Sequence, residues 1–189
     1  MTVLVPAEWA PHKAMWLCFP SHAEVWADDL DLAQAQVAAL ARALAGPGKE
    51  RVRLMTGSAE GEAAARRLLS DVPGVEIFPG RFGDIWLRDT GPIFAKGPNG
   101  DEARGFRFNG WGGKYEMEGD DTVAGQIATA SATPLVQQEI IMEGGSLDHD
   151  GEGTILTTGQ CLLNPNRNPG WTREAAEAEL AASLGARKV

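Results

Sequence analysis

Glu143–Pro169 reads EGGSLDHDGEGTILTTGQCLLNPNRNP, and an upstream counterpart, Trp86–Pro92, reads WLRDTGP. Each sets one carboxylate where a strand is expected to end, beside residues that a special backbone requires: Asp89 before Thr90-Gly91-Pro92, Glu143 before Gly144-Gly145. Twice a predicted helix leads to a strand and then to such an acid. A helix over 59–69, capped by Ser58, precedes Asp89, and a weaker one over 120–131 precedes Glu143. This internal echo is too divergent to fix a repeat period.

Working outward, apolar runs predict strands over 14–19, 51–55, 75–78, 135–142 and 154–158. Leu30, Ala33, Val37, Leu40 and Leu44 recur at helical spacing, which predicts an amphipathic helix over 28–45 ended by Gly46-Pro47-Gly48. Segments 92–95 and 103–108 form an expected hairpin around Gly97-Pro98-Asn99-Gly100. Thr172 caps a final helix that ends at Leu184-Gly185. Strands and helices alternate but hairpins interrupt them, so the expected class is α/β without a simple doubly wound sheet. No low-complexity linker marks a boundary, and residues 1–189 are expected to belong to one domain.

The net charge of −9 argues against generic nucleic-acid binding, which needs a basic surface, and is compatible with cationic substrates. Cys18 and Cys161 lie far apart without a CxxC spacing, the pattern of a reduced, cytoplasmic protein. The N-terminus lacks the layout of a signal peptide, and no apolar run reaches the ~20 residues of a membrane span. Three scattered histidines, His12, His22 and His149, do not make a metal site, so neither metal nor cofactor is expected. Both cysteines sit among apolar residues and read as core.

A guanidinium carries five N–H donors in one plane, and a carboxylate accepts two of them side by side. Two carboxylates such as Asp89 and Glu143 would hold it flat while its central carbon is attacked. The structural alternatives are that Asp89 pairs with Arg88 or caps the next turn, and that Glu143 caps a strand end. Trp86 would add a cation–π contact or serve as a core ring. Trp111, between Gly110 and Gly112-Gly113, reads as a pocket wall, because packing poorly explains a large ring in so flexible a loop. Asn109 would bond a substrate end or hold the turn. Asn164-Pro165-Asn166-Arg167-Asn168-Pro169 is a dense turn cluster whose Arg167 would orient a site carboxylate.

Both acid-bearing segments, with FNGWGGK at Phe108–Lys114 and PAEWAPHKAMW at Pro6–Trp16, resemble the agmatine deiminase family. Its relatives include the Porphyromonas-type peptidyl-arginine deiminases, and its wider grouping is the pentein fold. The resemblance runs from about residue 6 to the C-terminus. It implies an α/β propeller of five ββαβ blades, of which this chain would supply two to three. It also implies that Asp89 and Glu143 are catalytic, and that Trp86, Asp89, Asn109, Trp111 and Glu143 bind a small cationic guanidino substrate. The implied reaction is conversion of agmatine and water to N-carbamoylputrescine and ammonia by thiol catalysis, a step of putrescine formation. An arginine or peptidyl-arginine deiminase, or a non-catalytic guanidinium-binding module, is the alternative.

The family's His-x-Asp motif and its nucleophilic Cys after Gly-Gly-x-x-His are absent from these residues. The chain is therefore expected to be an N-terminal half, inactive alone, which self-associates or pairs with a missing C-terminal half. Family members place a His where this chain has Asp148, and His149, one place later, is expected on the opposite face, at the surface.

Overall fold

The computed structural model describes residues 3–189, which fold as two compact units. One comprises residues 11–87 with 117–120; the other comprises 88–116 and 121–189 with the N-terminal residues up to Ala10.

In the first unit, β1 (Met15–Phe19), β2 (Val52–Thr56) and β3 (Val75–Pro79) form a parallel sheet in that order. The crossovers are α1 (Leu30–Ala45) and α2 (Ala59–Leu69). Phe19, Val52 and Leu54 pack with Ala38, Ala41, Ala64, Ala65 and Leu69 in one apolar cluster. Small alanines let the helices approach the sheet closely. Ser58 Oγ accepts the Gly61 N–H at 3.0 Å, the expected cap of α2. Alternate residues face the other way: the Arg53 guanidinium lies 5.4 Å from the Trp16 ring centre and 5.7 Å from that of Phe78.

In the second unit, β4 (Ile93–Gly97) and β5 (Gly100–Arg107) make the expected hairpin, and β6 (Leu135–Ile141) joins β5 in parallel. β7 (Leu147–His149) and β8 (Ile155–Thr157) form a smaller hairpin. α3 (Val123–Ala130) precedes β6, and α4 (Arg173–Leu184) is capped by Thr172 and closed by Gly185 in the left-handed region at φ 74°. Phe106, Met142, Leu147, Ile155, Leu162, Leu180 and Leu184 form the core.

The β5–β6 register fixes the site. Gly105 pairs with Gln137 but Arg107 with Ile141, so two steps on β5 meet four on β6. This bulge bends β6, and the Met142 N–H then donates to the Arg107 carbonyl at 3.1 Å. Glu143 thus leaves the sheet at a defined point.

The mixed α/β class holds. Some local expectations do not. Asp89 lies in a helical turn, Leu87–Thr90, rather than at a strand end. β7 is not among the strands that the apolar runs predict, being three residues long with polar Asp148 and His149, although these two do alternate as in a strand. Cys18 is core, as expected, but Cys161 is partly exposed on the turn Gly159–Leu162. Asp148 is the exposed residue of β7, while His149 is half-buried with a buried Nδ1 that lacks a hydrogen-bond partner. The two do take opposite faces, but His149 takes the inward one, beside Leu147, Ile155 and Leu184. Among the described residues no helix is long and apolar enough to cross a membrane.

Candidate functional site

Asp89, Asn109, Trp111 and Glu143 all belong to the second unit. The turn that carries Asp89 meets the one that follows Glu143: the Gly145 N–H donates to Asp89 Oδ1 at 3.1 Å. A methyl group at Gly145 would collide with that oxygen and push the Asp89 carboxylate aside, so glycine permits this close approach. On its other side, Asp89 Oδ2 accepts the Trp111 indole N–H at 3.1 Å.

Trp111 stands in a rare conformation. Gly110, Trp111, Gly112 and Gly113 have φ of 64°, 57°, 79° and 80°, a left-handed turn in which only Trp111 carries a side chain. Left-handed backbone is costly for such a residue and persists only when its surroundings hold it. Asn109 Oδ1 accepts the Gly112 N–H at 2.9 Å, and the Trp111 ring meets Phe108 edge-on at 4.9 Å and Tyr115 at 6.2 Å. A side chain at Gly110 would strike the Tyr115 carbonyl and one at Gly112 would strike Asn166, so glycine at both leaves room for the turn that aims Trp111 at Asp89.

Glu143 is 4% exposed. Its Oε1 accepts from Arg167 Nε at 2.9 Å and Nη2 at 2.8 Å. Arg167 does meet a site carboxylate, as its place in the Asn-Pro-rich turn suggested. Asn109, read as a substrate ligand or a turn-holder, here holds turns: its Nδ2 donates to the Asn166 carbonyl at 2.8 Å. Trp86 belongs to the first unit, is 54% exposed, and donates from Nε1 to Asp84 at 2.8 Å.

The two acids are in unequal states. Glu143 has a guanidinium partner, whereas Asp89 is held by two neutral N–H donors. Burial pushes the Asp89 carboxyl above its ordinary value, and the charge of Glu143 adds to this. The Trp111 and Gly145 donors and Arg88 work the other way. Arg88 is itself paired with Glu8 at 2.7 Å, not with Asp89. A half-buried anion that is short of positive charge suits a cationic ligand. Among the described residues no cluster of His, Cys, Asp and Glu could hold a metal ion.

Sequence reading missed the Gly145 amide and Asn166. Backbone donors leave no residue-type signal, and Asn166 was legible only as part of a turn-rich run.

The family model of the Porphyromonas-type peptidyl-arginine deiminases matches residues 4–189. An agmatine deiminase of Stutzerimonas stutzeri is 41% identical over 188 residues, covering 95% of this chain and 50% of its own. One from Pseudomonas fluorescens is 38% identical, covering 98% and 51%. Among solved structures, the agmatine deiminase of Enterococcus faecalis superposes with a TM-score of 0.89 at 28% identity, over 100% of this chain and 52% of its own. The chain spans about half the length of the relatives it matches. Its solved neighbours are deiminases of pentein type, consistent with a partial propeller module.

Proposed function

The chain belongs to the Porphyromonas-type peptidyl-arginine deiminase family, and on that premise we propose that Asp89 and Glu143 bind the guanidinium group of agmatine for hydrolysis to N-carbamoylputrescine and ammonia. The observation that carries this reading is the Gly145–Asp89 hydrogen bond, which draws the two acid-bearing turns to one place. That relatives 41% and 38% identical to this chain are agmatine deiminases supports agmatine rather than arginine as the substrate of this reading.

On this reading Asp89 takes up the cation and Glu143 fixes its plane, with Trp111 as wall. A thiolate attacks the guanidinium carbon to form a C–S bond and a tetrahedral centre. Proton transfer to one nitrogen lets the C–N bond break and ammonia leave, and water then displaces the thiol from the carbon. The thiol and its base correspond to the His-x-Asp and Gly-Gly-x-x-His…Cys motifs, which these 189 residues do not contain. The 189 residues alone are thus expected to bind agmatine and to release ammonia only at the uncatalysed rate. Trp86 is retained as a candidate wall of the assembled enzyme, and the reaction belongs to putrescine formation in the cytoplasm.

Calorimetry of this chain with agmatine tests the reading. Binding should be lost or weakened roughly tenfold or more in Asp89→Asn, the loss expected when charge-assisted contacts go. Equal binding by wild type and Asp89→Asn would refute it. Tighter binding of arginine than of agmatine would favour the arginine-deiminase alternative.

A further inference from the structure

We infer that Arg167 is a positioning residue that joins Glu143 to the Trp111 turn, and through it to Asp89, so that the two carboxylates are set as one unit. The role rests on the guanidinium site proposed above. Three donors of one guanidinium reach two partners: Nε and Nη2 hold Glu143 Oε1, and Nη1 holds Asn166 Oδ1 at 3.1 Å. Asn166 reaches the Trp111 turn twice. Its Nδ2 donates to the Gly112 carbonyl at 3.4 Å, and its own carbonyl accepts Asn109 Nδ2. Asn109 in turn fixes Gly112, and Trp111 fixes Asp89. The path Glu143–Arg167–Asn166–Gly112–Trp111–Asp89 is closed by the Gly145–Asp89 bond, because Gly145 follows Glu143 by two residues. A side chain at Gly112 would strike Asn166 and Arg167, so the left-handed turn leaves room for this contact and no more.

Charge gives the arrangement a second consequence. The charged groups around Asp89 are Arg88, paired with Glu8, and Glu143, paired with Arg167. By pairing with Glu143, Arg167 offsets part of its charge and leaves Asp89 as the acid whose charge a guanidinium must meet. The site then matches one positive charge with one negative charge. Lysine would supply the charge but not the link, since an ammonium is a point charge without the planar fork that reaches Glu143 and Asn166 together.

The experiment uses the isotope-labelled 189-residue chain without ligand, as wild type, Arg167→Gln and Arg167→Lys. Nuclear magnetic resonance follows the Asp89 carboxyl carbon against pH and the Trp111 indole N–H cross-peak. In Arg167→Gln the Asp89 titration should move to higher pH, because Glu143 loses its counter-charge. Arg167→Lys should move it back towards wild type. The Trp111 cross-peak should shift in both variants, since neither reproduces the three-donor fork. A role in stability alone would leave Asp89 titrating alike in every folded variant, and that result, or an unmoved Trp111 cross-peak in Arg167→Lys, overturns the inference.

Should Arg167→Gln not fold, Asn166→Ala keeps every charge and removes the link. It should shift the Trp111 cross-peak while Glu143 keeps its counter-charge, and an unmoved cross-peak again overturns the inference. Agmatine affinity should fall about tenfold or more in Arg167→Gln, the scale of one lost charged contact. Failure of the wild type to bind agmatine would refute the proposed function, while the ligand-free titration would still decide the role of Arg167.

Discussion

Trp111→Phe is the most direct probe of how Asp89 is held. The substitution keeps an aromatic ring against Phe108 and Tyr115 but deletes the indole N–H that donates to Asp89 Oδ2. A hydrogen bond to a charged group contributes about 1.5–3 kcal/mol. Asp89 is half-buried and water can replace part of the lost donor, so the discounted cost is about 1 kcal/mol at pH 7. A smaller ring adds a packing loss that does not depend on pH.

The two parts separate by titration. The N–H bond favours the ionised carboxylate, so its contribution is present where Asp89 is charged and fades as pH falls through the folded value. That value is raised above 3.8 by burial, so the fading takes place above 3.8. For the wild type the sign is opposite: a raised carboxyl costs stability as pH climbs through the same window. Urea denaturation followed by circular dichroism at pH 7 and below pH 3.8 is the assay. At pH 7 the urea midpoint should fall by about 0.5 M more than it does in acid, taking a slope of about 2 kcal/mol per M. A destabilisation that is equal at both pH values would show that Trp111 supports the fold by packing alone, and the reading of the Asp89 site would fail.

Other outcomes follow from named contacts. Glu143→Ala leaves the largely buried Arg167 cation with Asn166 alone and should cost about 3 kcal/mol, read as a large fall in the urea midpoint. Thr154, through its side chain and its N–H, and the Glu152 N–H lower Asp150 to about 2. Its stabilising effect is therefore complete above its ordinary value of 3.8 and lost as pH falls towards 2, so the stability gap between wild type and Asp150→Asn should close over that range. Burial, with Asp120 and Asp84 nearby, pushes the Cys18 thiol well above 9.0. Iodoacetamide at pH 8 should leave Cys18 unmodified until urea unfolds the chain, as mass spectrometry of the labelled peptides would show. Sedimentation velocity should detect self-association, or binding to a separately supplied second half, since Trp9 at 80% and Leu156 at 67% exposure leave apolar surface uncovered; a lone, high-melting monomer would count against the half-propeller proposal.

The sequence by itself determined the elements that rest on local rules. Apolar periodicity placed the β1–β3 strands and their helices, Ser58 and Thr172 marked helix starts, and Gly185 marked an end, because each is a short-range matter of burial, capping or φ. Asp89, Glu143, Asn109 and Trp111 were legible as candidates through glycine-rich motifs and family resemblance. Arg167 was expected on one of the two carboxylates, but which one it meets, and what else these residues touch, was not legible. The helical turn around Asp89 and the three-residue β7 are too short to leave a periodic signal. His149 faces inward because a strand's alternation shows which residues share a face, while tertiary packing decides which face is buried. The pairing of Glu143 with Arg167 spans 24 positions, and that of Trp111 with Asp89 spans 22. Only the β5–β6 bulge and the left-handed turn bring those groups within hydrogen-bonding distance, since they set where the chain leaves the sheet and where an indole points.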